Sequence, residues 1–365
     1  MTNGNQEVLL PYLKTGIALL AFICLAILVY VLHQAGDLLI PFVVAVLIYM
    51  LLQPVIQLLE KWRMPRALVT LLAMGVTMVV VWGMSQVIYQ SIAAFTGGLS
   101  QYEGRFNDIW QRIGSLLGVS PDALSGGWNI ADDPRIAEFL NGATITDLVK
   151  LLLASVNSLL SNLVLVFIFL LLLLLGRDML PKKLKYAFSQ SLAGRLTDMT
   201  QGIRANIQKY LVIKTIIGLL AAGVVMLITL VFGLDFVIVW GILTYFLSFI
   251  PNIGSIVASV LPFLFALVQF DTPMTAVWIG VSIFAVKFSI GNLLEPRLMG
   301  RSIDLSPLLI MFSLIFWGSI WGIVGMFLSI PLTAIVKIVF DNVKPLRPIG
   351  ILMGEDVRGE TTAPA

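Results

Sequence analysis

Apolar residues run along this chain in long blocks, and polar residues gather in the gaps between them. Ile17–Leu32 is a continuous apolar run closed by His33-Gln34-Ala35-Gly36-Asp37. It is long for a signal-peptide core and no small-x-small cleavage pattern follows, so an uncleaved membrane anchor is expected. Further blocks cover Leu38–Leu59 (interrupted by Pro41 and by Gln53-Pro54), Ala67–Ala94, Leu151–Leu175 and Ile213–Phe232. Each suits a helix crossing a hydrocarbon layer roughly 30 Å thick. Two longer stretches follow, Phe236–Val268 and Leu308–Phe340, separated by Met274–Ile290.

Those two stretches are too long for simple spans. Each has 33 residues, about 50 Å as straight helix. Each also has a breaker near its centre, Pro251-Asn252-Ile253-Gly254 in the first and Trp317-Gly318-Ser319 through Gly325 in the second. The pattern predicts an all-α integral membrane protein with about six transmembrane helices plus two re-entrant helical hairpins. Eight transmembrane helices, two of them strongly tilted, are the alternative. In the hairpin arrangement the halves around the two hairpins have opposite membrane orientation, the inverted-repeat plan of many transporters. The intervals Gly254 to Pro262 and Gly322 to Pro331 are similar, which supports it.

Composition agrees with lipid as the solvent. The 365 residues are 59% hydrophobic and 12% charged, where soluble chains carry about 25% charged residues, and the mean hydropathy is +0.98. Where the charges sit sets the topology. Lys61, Arg63 and Arg66 occupy one short loop, and Arg177–Lys214 holds eight Lys/Arg, including Lys182, Lys183 and Lys185. The loop Phe95–Lys150 holds seven acids, among them Asp132 and Asp133, against four basic residues. Positive-inside places the basic segments and both termini in the cytoplasm and the acidic loop outside. Lys14, Lys344 and Arg347 fit that arrangement, and Arg297 and Arg301 fit it under the hairpin plan.

The expected organisation is therefore N-terminal transmembrane helices over 1–94, an extracytoplasmic loop with short helices over 95–150, and a fourth transmembrane helix over 151–176. A cytoplasmic amphipathic helix over 177–212 follows, then a transport core of broken helices over 213–340 and a cytoplasmic tail over 341–365. In the outer loop, Ser120-Pro121-Asp122 has the form of a helix start, and Thr144 with Asp147 resembles a capping box. Leu184, Phe188, Leu192, Leu196, Met199, Ile203, Ile207 and Leu211 recur at helical spacing, giving the amphipathic helix its apolar stripe. The basic residues between them form no nucleic-acid recognition motif, so no nucleic-acid partner is expected.

Enzymatic chemistry finds little support. One cysteine, Cys24, excludes an intrachain disulfide, and one histidine, His33, leaves nothing for a histidine metal site or a Ser–His pair. No Walker A, zinc-protease or nucleophile-elbow motif occurs, so no cofactor, metal or catalytic residue is expected. The informative groups are polar residues and helix breakers at membrane depth, because freed backbone groups there must be satisfied by protein or by a water-lined cavity. Thr244, Tyr245, Ser248, Asn252 and Ser255 form one such set around the break at Pro251 and Gly254. Lys287 lies inside 274–290, where a charge is costly; it either snorkels to the surface, forms an ion pair with Glu295 as its expected partner, or makes a proton-linked contact to substrate. Asp235 and Asp271 read as loop charges. Gln86 and Gln90, one turn apart, suit either a cavity wall or interhelical hydrogen bonding.

Three segments carry a resemblance. They are Pro41-Phe42 through Gln53-Pro54 to Met64-Pro65-Arg66-Ala67, then Phe249-Ile250-Pro251-Asn252-Ile253-Gly254, then Gly291-Asn292-Leu293-Leu294-Glu295-Pro296-Arg297-Leu298-Met299-Gly300. The last is followed by Ser306-Pro307, Gly322-Ile323-Val324-Gly325-Met326 and Ile330-Pro331-Leu332. From the second span to Asn342 the chain resembles the AI-2E family of bacterial membrane transporters, named for autoinducer-2 export. The resemblance implies a multi-pass secondary transporter of the bacterial inner membrane that exports a small polar metabolite such as autoinducer-2 and assembles as a homo-oligomer. A sodium or other cation/proton antiporter is the alternative, with Glu295 or Asp235 carrying the proton and Lys287 a further candidate for ion coupling. A channel or membrane scaffold is a third reading. Substrate-binding or gating residues would be Ser248, Pro251, Asn252 and Gly254 opposite Gly318, Gly322, Gly325 and Pro331, with Asn292, Glu295 and Pro296 coupling the two. The chain departs from the family at Leu211-Val212-Ile213, where many members have a Gly-Gln pair after the tyrosine.

Overall fold

The computed structural model describes residues 16, 19–20, 23–24, 26–98, 102, 162–177, 179–299 and 304–355. Among them every regular element is helical. The helix starts anticipated at Ser120 and Thr144, and the residues Gly300 and Arg301, lie outside the described residues. Helix α1 covers 26–34, α2 Gly36–Lys61, α3 Arg66–Gly98 and α4 Leu163–Gly176. Next come α5 (Met179–Ala187), α6 (Gln190–Phe232), α7 (Val237–Leu247), α8 (Ile253–Gln269) and α9 (Pro273–Ser289). A π-helical turn, Ile290–Leu294, joins α9 to α10 (Glu295–Met299), and α11 (Pro307–Asn342) and α12 (Arg347–Met353) complete the chain.

The 33-residue stretch from Phe236 folds back on itself. Pro251 has no N–H to continue the helix, and the chain turns over Ser248–Asn252. With 11 residues, α7 is about 16 Å long, half a hydrocarbon layer. Its N-terminal end meets the end of α8: the Asp235 N–H donates to Gln269 Oε1 at 2.8 Å, and Gln269 Nε2 donates to the Gly233 carbonyl at 2.7 Å. Trp240 and Phe265 fill the space between the arms, their rings 5.5 Å apart. This is a helical hairpin, not a kinked span.

The second long stretch does the same inside α11. Trp321 (φ −123°, ψ 18°) and Gly322 (φ 61°, ψ −143°) leave the helical region. Trp317 Nε1 then donates to Thr333 Oγ1 at 3.2 Å, although sixteen residues of straight helix would separate them by about 24 Å. At the open end Lys337 Nζ lies 3.3 Å from Asp304 Oδ2 and 2.9 Å from Asp341 Oδ2. Ser306 caps the first arm by accepting from the Leu309 N–H at 3.3 Å, with Pro307 at the first helical position. Helix α12 closes against this end, where the Ser306 N–H donates to the Met353 carbonyl at 3.0 Å and the Glu355 N–H to Asp304 Oδ1 at 2.9 Å.

The second hairpin tip is tied to α1 by two hydrogen bonds, one of which satisfies a backbone carbonyl of the tip. His33 Nδ1 donates to the Ile320 carbonyl at 2.8 Å, and Trp321 Nε1 donates to the Leu32 carbonyl at 2.9 Å. In the centre, α6 touches α2, α7, α9 and α11. It has 43 residues, about 65 Å of helix. The single amphipathic helix expected over 177–212 is broken at Phe188–Ser189, with Leu184 on α5, and the stripe from Leu192 onward is continuous with the fifth apolar run. Burial grows along that stripe: Phe188 and Leu192 are exposed, Met199 and Ile203 half-buried, Ile207 and Leu211 buried.

Candidate functional site

The apolar stripe of α6 carries an intruder. Ile207, Tyr210, Leu211, Ile217 and Gly218 are buried at helical spacing, and Lys214 falls on the same face, 5% exposed. Its ammonium forms an ion pair with the Glu295 carboxylate. A charge buried in this way persists only when paired and hydrogen-bonded.

Glu295 reaches that position because of the π turn. Along a regular helix a residue eight places beyond Lys287 would be rotated by about 80°, whereas one seven places beyond would be within about 20°. The π turn absorbs one extra residue, so Glu295 stands where the seventh residue would. The turn has a chemical cause. Pro296 supplies no N–H to the preceding turn and crowds its carbonyls, and the Glu295 N–H bonds instead to Ile290 O. Asn292, in the middle of the turn, donates through Nδ2 to the Phe288 carbonyl at 3.1 Å.

The first hairpin tip faces this segment. Lys287, 6% exposed, donates to Ser248 Oγ at 3.0 Å, and Ser248 in turn donates to the Thr244 carbonyl at 2.6 Å. Asn252 has φ 56° and ψ −58°, and the Ile253 N–H reaches the Pro251 carbonyl at 2.5 Å, which makes a γ-turn of the rare, strained kind. Strain of this sort is found where surrounding structure holds it for a purpose. Asn252 Nδ2 points to Met311 Sδ, 3.5 Å away on the second hairpin. Between these parts lies a cavity of about 490 Å³. The second hairpin contributes Pro307, Ile310 and Ile330 to its wall.

Of the residues anticipated from sequence, Ser248, Pro251, Asn252, Lys287, Asn292 and Glu295 share that cavity. Gly254 lies directly behind it, packed against the Leu247 carbonyl, and Pro296 follows Glu295 on the helix. Gly318, Gly322, Gly325 and Pro331 are not on the wall. Gly318 and Gly325 instead hold the second hairpin together against Met326 and the Trp317 carbonyl, and the wall is supplied by the flanks of that hairpin. Asp235 sits at the open end of the first hairpin, accepting from the Tyr102 hydroxyl. The expected Lys287–Glu295 pair is corrected: Glu295 pairs with Lys214, and Lys287 is held by Ser248. Lys287 is buried and does not snorkel. Gln86 and Gln90 are exposed on α3, away from this cavity.

Sequence reasoning missed Lys214 and Tyr210. The signal for Lys214 was present, a lysine on the apolar face of an amphipathic helix rather than between its stripes. The Tyr210 hydroxyl is buried without a hydrogen-bond partner among the described residues, and Tyr210 lines the cavity. A second depression of about 760 Å³ between α3, α6 and α7 is lined by Val80, Met84, Leu219 and other apolar groups with no charged residue, unsuited to a polar solute.

The cavity therefore joins two hairpins, a π turn and three charged groups inside an apolar bundle, and the chain that builds it matches a known family. Residues 19–344 match the AI-2E family transporter model. The chain belongs to the AI-2E transporter family. Among its relatives is the AI-2 transport protein TqsA of Escherichia coli K12, 31% identical over 323 residues that cover 88% of this chain and 90% of TqsA. A putative transport protein of Borreliella burgdorferi is 37% identical over 53% of this chain and 54% of its own. The putative transport protein YhhT of Escherichia coli K12 is 23% identical over 93% of this chain and 95% of its own. As an AI-2E family member the protein is a multi-pass membrane transporter and not an enzyme. Among the described residues five helices are long and apolar enough to cross a membrane by length and composition, the last being the one folded at Trp321–Gly322.

Proposed function

We propose that this protein is a secondary transporter of the bacterial inner membrane that exports a small polar metabolite such as autoinducer-2, and that the cavity between the hairpins is its solute site. The observation that carries this reading is the concentration of Lys214, Lys287, Glu295, Asn252 and Asn292 around one cavity in an otherwise apolar bundle. Charged groups inside a membrane bundle mark solute and ion pathways. Broken helices supply backbone donors and acceptors at the same depth. The name of TqsA supports the choice of solute.

In this reading the hairpins are re-entrant, both termini are cytoplasmic, and the chain works as a homo-oligomer within the bilayer. The π turn couples them, because its extra residue can migrate along the helix and swing Glu295 toward or away from Lys214. Autoinducer-2 efflux from loaded proteoliposomes of the purified protein tests the proposal. Efflux should saturate with solute and be lost in Asn252→Leu, with the variant still inserted. Normal efflux by Asn252→Leu would remove the hairpin tip from the site.

One observation favours a second reading. The Glu295 carboxylate is held by a single ammonium, and a cation could displace that ammonium while a proton leaves. This is the arrangement a cation/proton antiporter needs. Sodium-dependent proton flux in the same vesicles, abolished by Glu295→Gln, would decide for it.

A further inference from the structure

Among the described residues the charged groups on the cavity wall are Lys214, Lys287 and Glu295. Two ammonium groups and one carboxylate leave one positive charge in excess. Glu295 is spent on Lys214, and Lys287 has only the Ser248 hydroxyl. Both lysines are more than nine-tenths buried, so water cannot supply the missing counter-charge as it would at the surface.

The hydrogen-bonding inventory leans the same way. Each ammonium has three donors and uses one. The Tyr210 hydroxyl is unpartnered among the described residues, and Ser255 lines the same wall. Ser248 is already occupied on both sides, accepting from Lys287 and donating to Thr244. The Lys287 ammonium thus keeps two donors for a ligand in the cavity.

We propose that the solute bound in this cavity is a small hydroxylated monoanion, whose charge is taken by the Lys287 ammonium. The inference rests on the transport reading and narrows it. The solute's oxyanion supplies the carboxylate that Lys287 lacks, and its hydroxyls meet Ser255, Asn252 and Asn292. Binding restores neutrality to the cavity. For outward movement no coupling ion is required: a membrane potential negative on the cytoplasmic side favours a monoanion outside by about 50-fold per 100 mV.

The test uses the full chain in two assays. In detergent, thermal stabilisation is measured with the monoanions lactate and glycerate and with their neutral counterparts lactamide and glycerol. In proteoliposomes, counterflow of the same four probes is followed together with sodium. Lactate or glycerate should stabilise the protein and be carried at least ten-fold better than the neutral counterparts. Lys287→Gln should abolish the preference, and Lys287→Arg should retain most of it, which a merely structural lysine would not require. Equal stabilisation by neutral and anionic probes, or an unchanged preference in Lys287→Gln, overturns the inference. Flux of glycerol or sodium without anion flux overturns it while leaving the transport reading intact. Anion-selective stabilisation with no flux of any probe supports the anion site and removes the transport reading.

Discussion

At Gly254 and Gly325 a single hydrogen decides whether a hairpin closes. A Cβ on Gly254 would strike the Leu247 carbonyl oxygen, and one on Gly325 would strike the Trp317 carbonyl oxygen. Each glycine follows a residue of positive φ by two or three positions, Asn252 in the first hairpin and Gly322 in the second. The two are structural counterparts, so the repeat visible in sequence as Gly254 and Gly322 is shifted by three residues in space. Gly254→Ala is expected to lose monodisperse folded protein on size-exclusion chromatography, whereas Gly291→Ala, with nothing within 4 Å, should be neutral. Charge follows a similar logic. Removing one partner of a buried pair costs about 3–5 kcal/mol, while replacing both with apolar groups is often harmless. Lys214→Met combined with Glu295→Leu should therefore melt above either single variant in a thermal unfolding series, with transport lost in all three. A double variant melting below both singles would mean that the pair holds the fold rather than the function.

At the scale of elements, the π turn and the hairpin tips are the parts under strain. The π turn contributes one extra residue between Lys287 and Glu295, so deleting Leu293 should convert it to regular helix and leave Glu295 on the same face. Inserting an alanine there would instead rotate Glu295 by about 100° away from Lys214. Expression and thermal stability should survive the deletion far better than the insertion. The second tip depends on α1 through His33 and Trp321. His33→Ala leaves the Ile320 carbonyl unsatisfied inside the bundle, a penalty of about 1–3 kcal/mol. Lowered thermal stability with a preserved helical circular dichroism signal is the expected outcome. Much of this was legible beforehand. Pro251 and the glycines of Gly318–Gly325 announced the breaks, because a missing N–H and a glycine's tolerance of positive φ are local properties. The π turn was not legible: the residues from Gly291 on read as a cytoplasmic loop after a span ending at Ile290, whereas the helix continues through the π turn to Met299, because Pro296 and the packing of α9 on α6 act together.

For the whole molecule, the hairpins change what the charge pattern means. With both ends of each hairpin on one side, the proposed topology places Asp271 outside and Arg297 in the cytoplasm. Single cysteines at these positions, in a Cys24→Ser background because Cys24 is exposed, should react with a membrane-impermeant thiol reagent from opposite sides in oriented vesicles. The reverse sidedness, Asp271 from the cytoplasm and Arg297 from outside, is what eight simple spans require and would reject the re-entrant arrangement. The continuous α6 also links the basic segment to the cavity, since Arg204 lies over Tyr49 on α2 at 5.5 Å and Lys214 sits 10 residues further along the same rod.

What the amino-acid order alone determined was residence in lipid, the positions of the apolar blocks, and the two breaks that turn long blocks into hairpins. Those properties follow from transfer free energies and backbone chemistry that add up residue by residue. The tertiary structure alone decided which charges meet. Glu295 finds Lys214, 81 residues away, rather than Lys287 on its own helix, because α9 packs on α6 and a π turn sets its rotation. It also decided that the second hairpin lends its flanks and not its glycines to the cavity. Partners across helices depend on register and crossing geometry, which no local periodicity encodes.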